Sequence, residues 1–280
     1  MPLAKTKDIL NHATENKFGV LAAVTFNFET IKWAVKAAEI EKVPLILLFY
    51  PGFSFHIPQD FMAYMATRAA RASAVPVAVH LDHSPSYEIA VGGIKDGFSS
   101  IMVDGSSLPF EENVALTASV VRAAGVFGVD VEAELGLVGS GGNLDDMTNQ
   151  DLFTDPTLAN DFINRTGCDA LAIAVGNAHG AYVKTPELDF ERIKAVRKAV
   201  AVPLVMHGSS GIPDEQLQEA VNQGMSKFNM GTEYFKAFYD NLKSEEKSGD
   251  ALGLLTNVEE PIIEFLRSKI RLLNPNKFSL

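Results

Sequence analysis

Three histidines of the chain each follow a hydrophobic, strand-like run and precede turn residues. They are His83, His179 and His207, in the segments VPVAVHLDHS, ALAIAVGNAHG and VPLVMHGSSG. Three imidazoles from three separate strand ends, with one coordination position left open, form the ligand set of a catalytic zinc site. Asp82 directly precedes the first of them. A metal ion beside an acid/base carboxylate is suited to removing a proton next to a carbonyl.

The other histidines do not fit this pattern. His12 lies on an amphipathic helix, His56 lies in a loop, and His80 lies inside the third strand, where we expect a core residue with a hydrogen-bond partner. Glu132 and Glu134 share one face of the fifth strand because strand side chains alternate. Glu134, at the strand end, is a candidate metal ligand or partner of a ligand histidine. For Glu132 an ordinary buried ion pair is equally expected.

Short β-branched runs alternate with longer amphipathic stretches, and these elements must position the histidines. The eight predicted strands are 18–25, 43–49, 76–82, 99–103, 127–134, 169–175, 202–207 and 225–230. Most are continuously apolar, as strands buried on both faces are. Helical patterns cover 28–42, 60–72, 112–124, 188–200 and 213–224, and two further helices are predicted over 231–247 and 256–271. Eight β-then-α units predict an α/β fold, a closed (β/α)₈ TIM barrel with extra C-terminal helices, as a single domain over 1–280.

In such a barrel the active site lies at the carboxyl ends of the strands. The candidates that fall there are Asn27, Asp82, His83, Asp104, Glu132, Glu134, His179, His207 and Asn229. The segment 135–155 is rich in Gly and Asp and interrupts the alternation after the fifth strand. A long loop of this kind in a compact domain predicts a lid or a binding loop.

An anion site is predicted at the loops after strands seven and eight, which read HGSSGIP (207–213) and NMGTE (229–233). Barrels often bind phosphate with these two loops. Gly231 and Thr232 open a helix, whose N-terminus favours an anion. Ordinary turn chemistry also explains Gly and Ser in such loops. The candidate ligand His207 inside one of them favours phosphate, with a substrate that bridges the metal and the phosphate pocket.

Composition narrows the class of protein. The net charge is −11 and the sequence pI is about 5.0, and no run of Lys and Arg is dense enough to predict nucleic-acid binding. No apolar stretch reaches about 18 residues, so no membrane span is predicted. The single cysteine, Cys168, excludes an internal disulfide and suits a reducing compartment. The N-terminal segment lacks the apolar run of a signal peptide, so we expect a cytoplasmic enzyme.

Six motifs of the chain are similar to those of a known family. They are HLDHS (80–84), MVDGS (102–106), VEAELG (131–136), GNAHGAYVKTPELDF (176–190), VPLVMHGSSGIPDE (202–215) and FNMGTE (228–233). They resemble the class II, zinc-dependent fructose-bisphosphate aldolase family, most of all its tagatose-bisphosphate aldolase branch, over essentially the whole chain. The resemblance implies reversible cleavage of a ketose 1,6-bisphosphate into dihydroxyacetone phosphate and an aldehyde, with zinc polarising the ketone and stabilising an enediolate. It also implies a homodimer or homotetramer.

The same resemblance assigns roles to particular residues. His83, His179 and His207 would bind zinc, with Glu134 as an alternate or supporting metal partner. Asp82 would be the acid/base group that acts on the C4 hydroxyl. The predicted substrate-binding residues are Asn27, Gly180, Gly208, Ser210, Asn229, Thr232 and Lys184, of which Lys184 falls near the family's monovalent-cation and phosphate region.

Three departures from the family pattern put the usual substrate in question. Phe49 and Tyr50 stand after strand two, where the family has small or hydroxyl residues, and we expect the rings to narrow the pocket near its dihydroxyacetone end. Leu144 occupies the loop position of a glutamate that assists proton transfer, which leaves Asp145 or Asp146 as substitutes. For the far phosphate, the C-terminal segment offers Arg271 or Lys277 in place of the family's arginine.

Other classes of protein remain open. A metal-dependent hydrolase on the same barrel commonly has an H-x-H pair at the first strand, but this chain has no histidine near 20–27. A Schiff-base aldolase would use Lys227 as nucleophile, although we expect that lysine to pair with a barrel carboxylate. An aldolase-like enzyme with a changed phosphosugar substrate, and a non-catalytic phosphosugar-binding or regulatory subunit, both stay open because of Leu144.

Overall fold

Eight parallel strands close into a barrel in which every strand pairs with its neighbours in chain order. The computed structural model describes residues 3–245 and 249–280. The strands are β1 (Val20–Val24), β2 (Leu45–Phe49), β3 (Val77–Ser84), β4 (Ser100–Val103), β5 (Asp130–Leu135), β6 (Ala170–Ile173), β7 (Leu204–Met206) and β8 (Met225–Met230). The predicted (β/α)₈ barrel is confirmed. The fifth strand begins later than predicted, because residues 127–129 end the preceding helix and its glycine cap.

Helices surround the barrel, and two more follow it. In the described ranges they are α1 (Thr6–Asn16), α2 (Phe28–Glu41), α3 (Gln59–Ala72), α4 (Tyr87–Asp96), α5 (Phe110–Phe127), α6 (Leu144–Thr148), α7 (Pro156–Thr166), α8 (Phe190–Ala199), α9 (Asp214–Asn222), α10 (Thr232–Ser244) and α11 (Ala251–Leu273). Of the helix predicted over 231–247, residues 246 and 247 lie outside the described residues. In this part of the chain, no helix has both the length and the hydropathy needed to cross a bilayer.

The sequence patterns did not predict α4 and α7. Two glycines weaken the helical pattern of α4. Close packing requires one of them, because a Cβ on Gly93 would lie 2.4 Å from the side chain of Leu81. Local signals define α7 instead. Asp155 caps its first turn, Pro156 stands at its start, and Gly167 ends it in the left-handed conformation.

One end of the barrel is closed, which leaves the other end for a site. Helix α1 and the residues just before it contact the N-terminal ends of the strands, where Ala4 N donates to Val77 O and Lys7 N of α1 donates to Asp130 Oδ2. Ile9 and Leu10 of α1 join an apolar layer inside the barrel. Each fully buried side chain of this size contributes about 1.5–3 kcal/mol to folding. The carboxyl ends of the strands are therefore the open end.

Candidate active site

A cavity of about 780 Å³ lies at the carboxyl ends of the strands. It brings together nine of the predicted site residues as lining, namely Asp82, His83, Asp104, His179, Gly180, Gly208, Ser210, Asn229 and Thr232. Two more predicted residues, His207 and Glu134, are buried beside this lining. Residues from the ends of several different strands thus meet at one place, as they do in TIM-barrel enzymes.

The three predicted ligand histidines form one cluster. The ring of His83 lies 4.8 Å from that of His179 and 4.5 Å from that of His207, measured between centroids. One nitrogen from each ring lies within 4.8 Å of the other two. His83 belongs to β3, and the other two follow β6 and β7. The strand ends have therefore placed three imidazoles from distant parts of the sequence around a common point.

Hydrogen bonds determine which nitrogen of each ring faces this point. His83 Nδ1 donates to Asp104 Oδ2 at 2.8 Å, and His179 Nδ1 donates to the carbonyl oxygen of Val138 at 3.2 Å. His207 uses the opposite nitrogen, since its Nε2 donates to Glu132 Oε1 at 3.0 Å. The partner of one ring nitrogen sets the tautomer and leaves the other nitrogen as a metal ligand. The nitrogens left free are therefore Nε2 of His83, Nε2 of His179 and Nδ1 of His207.

Several polar atoms around the cluster are buried without a hydrogen bond. They include His179 Nε2, His207 Nδ1 and Glu134 Oε2. His207 Nδ1 lies 3.1 Å from Glu134 Oε2, but the contact lacks hydrogen-bond geometry. An unsatisfied buried polar group costs about 1–3 kcal/mol. A divalent cation would pair with all three atoms at once, so this donor set fits zinc, which prefers imidazole and carboxylate ligands.

An irregularity in β3 gives the site two neighbouring side chains. Side chains normally alternate between the faces of a strand, yet both Asp82 and His83 line the cavity. The pairing register of β3 with β4 shifts between Leu81 and Ser84, and His83 has a φ of 42°. Such a conformation is rare for a residue other than glycine and concentrates at functional sites. The sequence offered no signal for this bulge.

Asp82 is held as an ionised carboxylate. Asn229 Nδ2 donates to both of its oxygens, at 3.2 and 3.4 Å. Burial raises the pKa of Asp82, but the charges of His83 and His207 lower it below its usual range overall. Burial likewise lowers the pKa of His83, while Asp82 beside it raises the pKa above the ordinary value. Asp82 is therefore a charged group in the cavity wall that can accept a proton.

A buried polar layer supports the cluster from inside the barrel. Glu132 Oε2 accepts from Lys227 Nζ at 2.7 Å, while its Oε1 holds His207. Glu132 therefore combines the predicted ion pair with support of a ligand histidine. His80 Nδ1 lies 2.6 Å from Ser100 Oγ, which confirms the expected core histidine with a partner. Lys227 is fully buried and paired, as expected, so nothing favours its use as a Schiff-base nucleophile.

The loops after β7 and β8 are joined into one unit. Ser209 N and Oγ both donate to Asn229 O, at 3.2 and 2.5 Å. Glu233 N, in the first turn of α10, donates to Ser210 Oγ at 3.2 Å. Gly208 has a φ of 61°, and a Cβ there would lie 1.9 Å from the carbonyl oxygen of Ala178. The two loops thus present small residues and a helix N-terminus to the cavity, which is a favourable arrangement for phosphate.

Tyr182 extends this unit to the loop after β6. Its hydroxyl accepts from Ala178 N and donates to Gly208 O, each at 2.8 Å. Burial raises the pKa of Tyr182 to about 12, so the hydroxyl stays protonated. The residue lies within the motif 176–190, but its type and position gave no indication of this link between the loops.

Two predicted substrate-binding residues lie outside the cavity lining. Asn27 is the N-cap of α2, and its Oδ1 accepts from Thr30 N at 2.9 Å. Lys184 is exposed on the loop after β6. The structure thus gives Asn27 a capping role in the fold, which is the ordinary use of Asn at that position.

The two rings after β2 separate, which corrects one expectation. Phe49 is buried and stacks toward Phe98, with 6.4 Å between ring centroids, so it faces the helices and does not narrow the pocket. Tyr50 does line the cavity, and its ring lies 6.4 Å from that of His83. Tyr50 follows β2, which only β1 separates from β8, and Phe53 lies between its ring and that of Phe235 in α10.

Both residues suggested for a far phosphate lie at the closed end of the barrel. Arg271 pairs with Glu41, which ends α2 next to the start of β2. Lys277 directly follows Asn276, whose Nδ2 donates to Lys17 O just before β1. Within this chain the C-terminal segment therefore holds both residues at the end opposite to the cavity.

The segment 135–155 is partly helical rather than an open loop. It contains α6 and a 3₁₀ turn over Gln150–Leu152. Leu144 is exposed at the start of α6 and does not line the cavity. Asp146 accepts from Ser140 N and from Asn143 Nδ2, each at 2.8 Å, so its two oxygens hold the segment together. Gly141 N donates to His179 O at 2.8 Å and connects the segment to the metal cluster.

Comparisons with known proteins agree with this geometry. The family model for class-II fructose-bisphosphate aldolase matches residues 4–277. The chain is 40% identical over 245 residues to the fructose-bisphosphate aldolase of Geobacillus stearothermophilus, covering 85% of this chain and 84% of that protein. It is 38% identical over 262 residues to YdjI of Escherichia coli (strain K12), covering 94% of each.

The crystal structure of the YdjI aldolase superposes on this fold with a TM-score of 0.87 at 35% sequence identity, covering 97% of each chain. The barrel, the cluster of three histidines beside a carboxylate, and the match over nearly the full length all point the same way. The chain belongs to the class II fructose-bisphosphate aldolase family and is an aldolase, a lyase that breaks a carbon–carbon bond.

Proposed function

We propose that this enzyme is a zinc-dependent aldolase that reversibly cleaves a phosphorylated ketose to dihydroxyacetone phosphate and an aldehyde. The observation that carries the proposal is the convergence of free nitrogens from His83, His179 and His207 next to the ionised carboxylate of Asp82. Glu134 supplies a further buried oxygen without a hydrogen bond. When bound there, a divalent cation supplies the Lewis acid that polarises the substrate ketone.

The phosphate of the dihydroxyacetone half belongs at the loops after β7 and β8. Gly208, Ser210 and Thr232 line this part of the cavity, and the N-terminus of α10 faces it. Exposed backbone N–H groups and the helix dipole favour an anion without any cationic side chain. Asn229 reaches both the phosphate side and Asp82, so it orients the carboxylate relative to the bound ketose.

Asp82 is the proposed acid/base group. In cleavage, the C4 hydroxyl gives its proton to the Asp82 carboxylate and becomes the aldehyde carbonyl while the C3–C4 bond breaks. The electron pair of that bond passes to the C2–C3 unit, and C3 then takes up a proton to yield dihydroxyacetone phosphate. The reverse direction restores the proton from Asp82 to the C4 oxygen, so no oxidant or reductant is required.

The first experiment combines metal analysis with a coupled assay for dihydroxyacetone phosphate. Fructose and tagatose phosphates, as the 1-phosphates and the 1,6-bisphosphates, would be assayed before chelation, after chelation and after zinc is restored. We expect activity that chelation abolishes and zinc restores. Activity that survives complete removal of metal would overturn the proposed metal dependence.

Matched variants separate the roles of the residues. His207→Ala is expected to lose the metal, whereas His56→Ala, an exposed histidine in a loop, is expected to keep it. Asp82→Asn is expected to keep zinc and lose about 10²–10⁴-fold in cleavage rate, the usual contribution of an acid/base group. Near-normal turnover in Asp82→Asn with full zinc occupancy would remove Asp82 from this role.

A non-catalytic phosphosugar-binding protein is the second candidate. The specific observation in its favour is Leu144, which stands where the family pattern has a glutamate and is exposed outside the cavity. Calorimetry with dihydroxyacetone phosphate decides between the two candidates. Tight binding to the zinc-loaded protein, with no cleavage of any of the four sugar phosphates, would favour the binding protein.

A further inference from the structure

The residues that line the cavity differ in type between the side at the loops after β7 and β8 and the opposite side. In an eight-stranded barrel, β3 and β4 stand opposite β7 and β8. A ketose with its phosphate at the latter loops and its C4 hydroxyl at Asp82 therefore extends its far end toward the loops after β2, β3 and β4. The lining there consists of Tyr50, Pro51, Gly52, Phe53, Pro85, Ile89, Asp104, Ser106 and Ser107.

Aromatic and aliphatic side chains form one wall of this far end. Tyr50 packs edge-on against Phe53, with 5.4 Å between ring centroids. Phe53 in turn lies 5.8 Å from Phe235 of α10, so the rings close the gap between the loops after β2 and β8. Ile89 of α4 adds an aliphatic surface. A phosphate dianion against these groups would lose hydration without gaining a partner, which is costly.

The polar groups of the far end are carboxylates and hydroxyls. Asp104 lines this end of the cavity, and its Oδ2 accepts from His83 Nδ1 at 2.8 Å. Ser106 N and Oγ both donate to Asp104 Oδ1, at 3.0 and 2.7 Å. Ser107 is exposed in the lining. Within residues 3–245 and 249–280, no Lys or Arg lines the cavity. These groups suit sugar hydroxyls and repel an anion.

We infer that the aldehyde half of the substrate is uncharged, so that the ketose is phosphorylated at C1 and carries free hydroxyls at its other end. The inference rests on the proposed function, because it takes the same metal, the same phosphate loops and the same bond cleavage as given. It replaces the 1,6-bisphosphate that the family resemblance implied. A second phosphate carries a charge of about −1.5 to −2 and would meet two carboxylates, Asp82 and Asp104, without a cation from the cavity lining described above.

Two measurements on the zinc-loaded enzyme test the inference and the proposed function separately. The first follows exchange of a hydroxymethyl proton of dihydroxyacetone phosphate with deuterium from the solvent by NMR, with no aldehyde present. The second compares kcat/KM for condensation of dihydroxyacetone phosphate with glyceraldehyde and with glyceraldehyde 3-phosphate, using both enantiomers of each. We expect exchange to occur and kcat/KM to be at least tenfold higher for the unphosphorylated aldehyde.

Each result has one meaning. Exchange together with equal or higher kcat/KM for glyceraldehyde 3-phosphate overturns the inference and leaves the proposed function standing. Failure to exchange, with zinc bound, overturns the proposed function and the inference with it. The cleavage direction must give the same order of preference. The enzyme should cleave fructose and tagatose 1-phosphates with a higher kcat/KM than the corresponding 1,6-bisphosphates.

Two variants test whether the wall that contains Tyr50 and Phe53 causes the preference for an unphosphorylated aldehyde. Tyr50→Arg places a cation in the far end, and we expect it to shift the kcat/KM ratio toward glyceraldehyde 3-phosphate by tenfold or more. Phe55→Arg adds the same charge on the same loop, but Phe55 is 88% exposed and does not line the cavity. We expect its ratio to match that of the unmodified enzyme. An unchanged ratio in Tyr50→Arg, with exchange retained, would contradict the role of this wall.

Discussion

Replacing Glu132 by Gln should weaken both the fold and the metal site, because this one carboxylate serves two buried groups. Its Oε2 accepts from Lys227 at 2.7 Å and its Oε1 accepts from His207 at 3.0 Å. Lys227 and His207 are both fully buried. The neutral amide keeps the shape of the side chain but removes the charge that compensates the ammonium group of Lys227.

The two effects have different expected sizes. Breaking a buried ion pair by removing one partner costs about 3–5 kcal/mol, since it leaves an uncompensated charge. Loss of a carboxylate that supports a ligand histidine typically costs 10–100-fold in metal affinity. The amide oxygen can still accept from His207 Nε2 and preserve its tautomer, so we expect the affinity for zinc to fall by roughly tenfold, at the lower end of that range.

Urea unfolding of the metal-free protein and calorimetric titration with zinc measure the two effects. Glu111→Gln is the matched control, because Glu111 pairs with Arg165 on the surface, where such pairs contribute about 0–1 kcal/mol. The double variant Glu132→Gln/Lys227→Met should recover stability but not zinc affinity. A single Glu132→Gln variant that unfolds within about 1 kcal/mol of the parent, with unchanged zinc affinity, would refute the reasoning.

Three further predictions concern the same region. Gly208→Ala should lose most cleavage activity and raise KM for the sugar phosphate, because its Cβ would lie 1.9 Å from Ala178 O and must displace the phosphate loop; an unchanged KM would contradict this. Zinc binding should release a proton from His207 near pH 7.5. Burial lowers the pKa of His207, but Glu132 and Glu134 raise it to about 10. The affinity for zinc should therefore rise up to tenfold per pH unit as the pH approaches that value. Calorimetry in buffers of different ionisation enthalpy counts the released protons, and a count of zero would be inconsistent with a charged His207. Tyr182→Phe leaves two backbone groups without their partner and should lower stability by about 1–3 kcal/mol, measured by urea unfolding, with a larger effect on KM than on kcat.

The barrel and the location of the site were predictable from local features. Runs such as 43–49 and 202–207 are continuously apolar, and strands buried on both faces require this. His207 follows such a run directly, and His179 follows another after the short turn 176–178. Parallel strands that close into a barrel bring all their carboxyl ends to one face. Residues far apart in sequence were therefore predictable neighbours without any knowledge of their side-chain contacts.

Other features depended on contacts between distant residues. The resemblance suggested Arg271 for a far phosphate, but the packing of α11 places it beside Glu41 at the closed end. Phe49 and Tyr50 are adjacent in sequence, and the fold turns one ring into the helix layer and the other into the cavity. The homo-oligomer implied by the resemblance stays a prediction, since it concerns contacts between copies of the chain.

The order of residue types along the chain specifies what stands at each strand end, and therefore that three imidazoles and a carboxylate meet in one cavity. How these groups face one another depends on the packed fold. The bulge of β3 places Asp82 and His83 on the same side. Asp104 and Glu132 select opposite ring nitrogens of their histidines. The physical reason is that strand periodicity is a local property of the chain, whereas a hydrogen bond across a barrel depends on angles and distances that only the packed fold defines.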